Sequence, residues 1–140
     1  MQINGNEMYW FENPADPTGL WTNRVIENRF NKYHDQTVGD LDGEPEILFA
    51  SQKSGIVAYY DIPDDPTQEP WPSKAFHLIS EGMPDVEGLV IVDIDGNGKN
   101  EVFAGPNIFR NDAGGTWSRQ AFAEDYRMTQ VAVADLDGDG

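Results

Sequence analysis

One stretch of the chain, Asp93-Ile-Asp95-Gly-Asn97-Gly-Lys99-Asn-Glu101, has the residue types and spacing to surround a hard cation. Side-chain oxygens stand at its first, third, fifth and ninth positions, and the backbone carbonyl of Lys99 is available at the seventh. Such a set suits calcium, which takes about six to eight oxygens. Gly96 and Gly98 supply the sharp turns that aim these groups inward. Without an ion, carboxylates about 4 Å apart at an effective dielectric near 20 repel by roughly 4 kcal/mol per pair. Magnesium fits less well, because it keeps several waters and uses only one or two carboxylates.

Two other stretches share the opening of this loop. Asp40-Leu-Asp42-Gly-Glu44-Pro-Glu46 is two residues shorter and lacks the Asn97-Gly98 equivalent, so the sequence ranks it below the Asp93 loop, with Glu44 as a substitute ligand. Asp135-Leu-Asp137-Gly-Asp139-Gly140 has three aspartates and no acid at the ninth position within the sequence. The candidate metal residues are therefore Asp93, Asp95, Asn97, Lys99 and Glu101, then Asp135, Asp137 and Asp139, then Asp40 and Asp42. An EF-hand is ruled out: its twelfth position would be Ala104 instead of Glu, and both flanks read as strands where helices are required.

A second constellation surrounds His34, six residues before Asp40. The matching positions before the other two loops are Glu87 and Thr129. With Tyr33, Asp35, Arg127 and Gln130 they could line a polar pocket where inner strands converge. A histidine, an acid and an arginine are a kit for removing a proton beside a carboxylate, with the arginine neutralising that carboxylate. The competing reading of His34 is a strand-end residue that caps a turn or faces solvent. His77, in Phe76-His-Leu-Ile, reads as a surface residue.

These groups need elements to hold them, and the elements repeat. Asp40, Asp93 and Asp135 are separated by 53 and 42 residues. An apolar run follows each complete loop (Glu46-Ile-Leu-Phe-Ala and Glu101-Val-Phe-Ala-Gly). Next come an aromatic stretch, a turn-rich loop leading to a tryptophan (Trp21, Trp71, Trp117) and a short strand. Four strands in 42 to 53 residues is the size of a propeller blade. Leu89-Val-Ile-Val and Val131-Ala-Val-Ala read as inner strands buried on both faces. Gly39, Ala132 and Ala134 are small enough for inner strands to approach closely. The tryptophans, recurring at one repeat position, are expected to pack between blades. The prolines at 63, 66, 70 and 72 read as an extended connection.

The predicted architecture is all-β: a fragment of a β-propeller built from four-stranded antiparallel blades with calcium-binding loops. Residues 1–36 read as the end of one blade, 37–88 as a first repeat, 89–130 as a second, and 131–140 as the start of a third. Closed propellers have about 4–8 blades, so further blades of a parent chain are expected as partners.

Composition narrows the function classes. Nine basic against 25 acidic residues give a formal charge of −16, which disfavours nucleic acid and anionic membranes. There is no cysteine, hence no disulfide and no thiol chemistry. No apolar run approaches the roughly 18 residues of a membrane span, and residues 1–15 lack the pattern of a signal peptide.

The pattern Val-x-Asp-x-Asp-Gly-Asn-Gly-x-x-Glu-Val, preceded by a tryptophan and an aromatic-Asn-Pro stretch such as Phe11-Glu-Asn13-Pro14, resembles the FG-GAP and VCBS repeats. That resemblance covers essentially the whole chain. It implies propeller blades with calcium at Asp93, Asp95, Asn97 and Glu101, in an extracellular, periplasmic or cell-surface protein. It also implies one of two functions. The first is a calcium-stiffened binding, adhesion or scaffold module that meets a carbohydrate or protein ligand at the propeller face. The second is a carbohydrate-active enzyme such as a uronate polysaccharide lyase, with His34 as its catalytic residue.

Overall fold

The computed structural model describes residues 5–112, 114–126 and 130–138. Ten strands form three antiparallel sheets, and no α-helix occurs among the described residues. The first sheet is a hairpin of β1 (Met8–Glu12) and β2 (Thr22–Glu27). The second contains β3 (Tyr33–Asp40), β4 (Pro45–Ser51), β5 (Ile56–Asp61) and β6 (Phe76–Ser80). The third contains β7 (Leu89–Val92), β8 (Glu101–Ala104), β9 (Asn107–Asp112) and β10 (Thr116–Ala121). Both four-stranded sheets follow chain order, as in propeller blades.

The second sheet is sandwiched by the other two, and period-two alternation explains how. Leu48, Ala50, Val57 and Tyr59 face the third sheet, where Val102, Ala104 and Phe109 complete one core. Their neighbours Phe49, Ala58 and Tyr60 face the first sheet and pack with Met8 and Ile26. Each buried aliphatic or aromatic side chain contributes roughly 1.5–3 kcal/mol, so the sheets stack through two distinct apolar layers. The inner strands also meet. A Cβ at Gly39 would lie 2.5 Å from Cδ1 of Ile91, so only glycine permits that approach of β3 to β7.

A buried polar clasp joins the first two sheets. Glu27 accepts from the Arg29 guanidinium (2.9 Å), from the Tyr60 hydroxyl (2.7 Å) and from the backbone N–H groups of Asn28 and Arg29. Burial pushes the Glu27 carboxyl upward, but these donors outweigh it and hold the carboxyl below its usual range. The guanidinium also lies over the rings of Phe30 and Phe76.

The structure corrects three readings of the sequence. Inner strands are not buried on both faces: β7 is half-buried throughout and Val38 in β3 is 65% exposed. Among the described residues each inner strand is a sheet edge with no further strand beyond it, and it is the second strand, such as Glu101–Ala104, that is fully buried. Residues 131–134 form no strand, and Ala132 and Ala134 are exposed. That segment has no ladder partner among the described residues, whereas β3 and β7 pair with the strands that follow their loops. Finally, the tryptophans differ. Trp71 is buried between the first two sheets, donating its backbone N–H to Ile26 and its indole N–H to Pro66. Trp117, within β10, packs against the core between the second and third sheets. Trp21 is 57% exposed, because no described sheet covers its side of the hairpin.

Candidate metal centre

The Asp40 and Asp93 loops each connect an inner strand to the second strand of its sheet. Ladder register decides where the loop's glutamate stands. Gly39, just before Asp40, pairs with Glu46; Val92, just before Asp93, pairs with Glu101. The glutamate is therefore fixed beside the first aspartate whatever the number of loop residues between them. As a result, Asp40, Asp42 and Glu46 form one cluster, and Asp93, Asp95 and Glu101 form another. In each, one carboxylate oxygen per residue lies within 4.8 Å of the others. The two-residue shortening that ranked the first loop lower in the sequence does not separate its acids. Glu44 is exposed and belongs to neither cluster.

The two clusters share an internal hydrogen bond. Glu46 accepts the N–H of Leu41 at 2.7 Å, and Glu101 accepts the N–H of Ile94 at 3.0 Å. In the longer loop, Asp93 also accepts from Asn97 (3.1 Å) and Gly98 (2.8 Å), and Asn97 accepts from the N–H of Lys99 (2.8 Å). Gly96 and Gly98 take φ of 71° and 86°, which lets the backbone curl around its own side chains. In the shorter loop, Gly43 donates to Asp40 at 2.6 Å.

Burial sharpens the electrostatics. Glu46 is 1% exposed and Glu101 3%, and among the described residues no lysine or arginine forms an ion pair with either cluster. A buried carboxylate without a cationic partner is costly. Burial, against the opposing Leu41 N–H and reinforced by Asp42 and Asp40, pushes the Glu46 carboxyl up to about 7. Three carboxylates gathered around backbone donors, with no basic side chain paired to them, are a donor set for a hard divalent cation. Asp40 and Asp42 of one cluster and Glu101 of the other line a cavity of about 660 Å³, together with Lys99, Asn100 and Arg110.

In the third loop, Asp135 accepts the N–H groups of Asp137 (3.2 Å) and Gly138 (2.7 Å). Asp139 lies outside the described residues.

With this geometry in view, the comparison with known families is specific: residues 93–140 match the family model of the FG-GAP-like repeat. This segment is similar to an FG-GAP-like repeat. It takes up about a third of the chain, running from the Asp93 loop through β8, β9 and β10 to the Asp135 loop. The stretch from Asp40 to Ser80 has the same order as residues 93–121, an acidic loop followed by three strands. No curated protein and no solved structure matches the chain significantly.

The residues singled out around His34 are only partly assembled. His34 Nδ1 lies 3.2 Å from Asp35 Oδ1, and Nε2 lies 3.5 Å from Glu87 Oε1. Asp35 also accepts the N–H of Gly88 at 2.5 Å, and Glu87 is held by the Gln52 amide. Gln52, which the sequence did not single out, is 1% exposed and its Oε1 has no partner among the described residues; a lone glutamine at a strand end carries no pattern to announce it. Tyr33 does not join this group. It packs with Phe30 and Phe49, and its hydroxyl accepts the Phe30 N–H, because β3 turns that side chain into the core between the first two sheets. Gln130 is exposed, and Arg127 and Thr129 lie outside the described residues. His77 is paired with Asp61 at 2.8 Å and stacked on Tyr59.

Proposed function

We propose that this chain is a calcium-binding repeat module of an extracellular β-propeller that serves as a binding, adhesion or structural scaffold. In this reading, residues 37–88 and 89–130 are successive blades, 1–36 is the end of a blade and 131–140 the start of another. The observation that carries it is the recurrence of one triad, two aspartates and a buried glutamate, at the same ladder position in two sheets. Asp93, Asp95, Asn97, Glu101 and the Lys99 carbonyl would hold one ion, and Asp40, Asp42 and Glu46 another. The ion would neutralise the clustered charge and fix each loop, with a carbohydrate or protein ligand meeting a propeller face. Extracellular modules of this kind work at calcium affinities on the order of 10⁻⁴–10⁻³ M. The test is calorimetry with and without chelator. Chelation is expected to lower the melting temperature and added calcium to restore it; a melting temperature indifferent to both would end the calcium reading.

The approach of His34, Asp35 and Glu87 favours a second reading, a carbohydrate-active enzyme such as a uronate lyase with His34 in proton transfer. It is tested by following unsaturated products at a panel of uronate polymers. Activity that survives His34→Ala would refute the role of His34.

A further inference from the structure

The two acidic loops are joined by a side chain outside both triads. Asn100, just before Glu101, donates its side-chain amide to the backbone carbonyl of Asp40 at 2.7 Å. Asp40 stands opposite Pro45 in the β3–β4 ladder, and Pro45 has no N–H to give, so no N–H from that partner competes with Asn100 for this carbonyl. The shorter loop therefore receives a hydrogen bond from the neighbouring repeat. Asp40 is the first residue of one triad, and residues 97–101 are the closing half of the other loop, whose Asn97 and Gly98 N–H groups bond to Asp93. Asp40, Asn97, Gly98 and Asn100 line one cavity.

We propose that Asn100 is a positioning residue that couples the two loops, so that calcium held by the Asp93–Glu101 loop favours calcium at the Asp40–Glu46 loop. This rests on the calcium reading above. An ion at Asp93, Asp95 and Glu101 fixes the backbone around Asn100. The fixed amide holds the Asp40 carbonyl, and the ordering cost of the shorter loop is met before its own ion arrives. The longer loop, organised by its internal hydrogen bonds, fills first. Charge alone works the other way, because each bound cation weakens the negative field that attracts the next. The coupling must therefore come from the hydrogen bond.

Two glycines report on the loops separately: Gly43, which donates to Asp40 at 2.6 Å, and Gly98, which donates to Asp93 at 2.8 Å. Calcium is titrated into the full chain while both amide resonances are followed by NMR. The expected order is Gly98 before Gly43. Asn100→Ala, which changes no charge, should move the Gly43 midpoint to about fivefold higher calcium, the worth of one hydrogen bond, and shift Gly98 by less than about twofold. Asn100→Asp, which removes the amide donor while adding a charge that attracts calcium, should still leave Gly43 responding after Gly98, with a wider gap between the two midpoints than in the wild type. Unchanged Gly43 and Gly98 midpoints in Asn100→Ala would overturn the coupling while leaving both ions in place. Glycines that never respond to calcium would remove the calcium reading and the coupling with it.

Discussion

Glu46 links the metal reading to a measurable pH dependence. Its carboxyl is pushed up to about 7 from an ordinary 4.5. Below pH 4.5 the group is protonated in folded and unfolded chains alike and costs nothing. Between the two values the unfolded chain releases the proton and the metal-free fold retains it, so stability falls as pH rises through that window. The gap of about 2.5 corresponds to roughly 3 kcal/mol lost by pH 8, or on the order of 10 °C in melting temperature for a chain of this size. Glu27 works in the opposite sense: its depressed carboxyl gives stability that is lost only as pH falls below the ordinary value. Across pH 5–8 the difference between the wild type and Glu46→Gln therefore isolates the contribution of Glu46. Metal-free protein is melted by calorimetry at pH 5, 6, 7 and 8, beside Glu46→Gln. The wild type should lose stability across the series, while the variant, with no proton to release, should be flatter by about 3 kcal/mol. Calcium should raise the melting temperature of the wild type more at pH 8 than at pH 5, because the ion replaces a proton. Parallel pH profiles for wild type and Glu46→Gln would refute the argument.

Two further predictions concern the sheet contacts. Trp71→Ala should cost about 3–5 kcal/mol in urea unfolding, since Trp71 is packed between sheets, whereas Trp21→Ala should cost less than about 1 kcal/mol; equal losses would contradict the assigned packing. Arg29→Met leaves the buried Glu27 carboxylate without its cation and should cost roughly 3 kcal/mol, with the pairing of Arg29→Met and Glu27→Gln recovering part of that in a double-mutant cycle. Additive losses would show the two side chains to be energetically independent.

The sheets were legible in the sequence because each carries its own local signature. The Asp-x-Asp-Gly turn, the apolar run after it and the aromatic stretch recur in order, and the alternation at 47–50 and 57–60 sorts itself onto two faces. Counting ligand positions along the chain places the shorter loop second because it ignores the ladder. Gly39 opposite Glu46 returns the glutamate to the same place as Val92 opposite Glu101. The edge exposure of β3 and β7 was missed because an apolar run looks alike in an edge strand and a central one. Tyr33 was misplaced because neighbouring positions in a strand face opposite ways, and β3 aims Tyr33 at Phe49. Asn100 and Gln52 act through contacts across 60 and 35 residues of sequence, which no local pattern encodes.

The account stands most directly on the number of ions the chain holds. Isothermal titration of the metal-free protein with calcium should give two sites per chain, with Asp93→Ala and Asp40→Ala each removing one. Binding of no calcium, or two sites that both survive Asp93→Ala and Asp40→Ala, would contradict it.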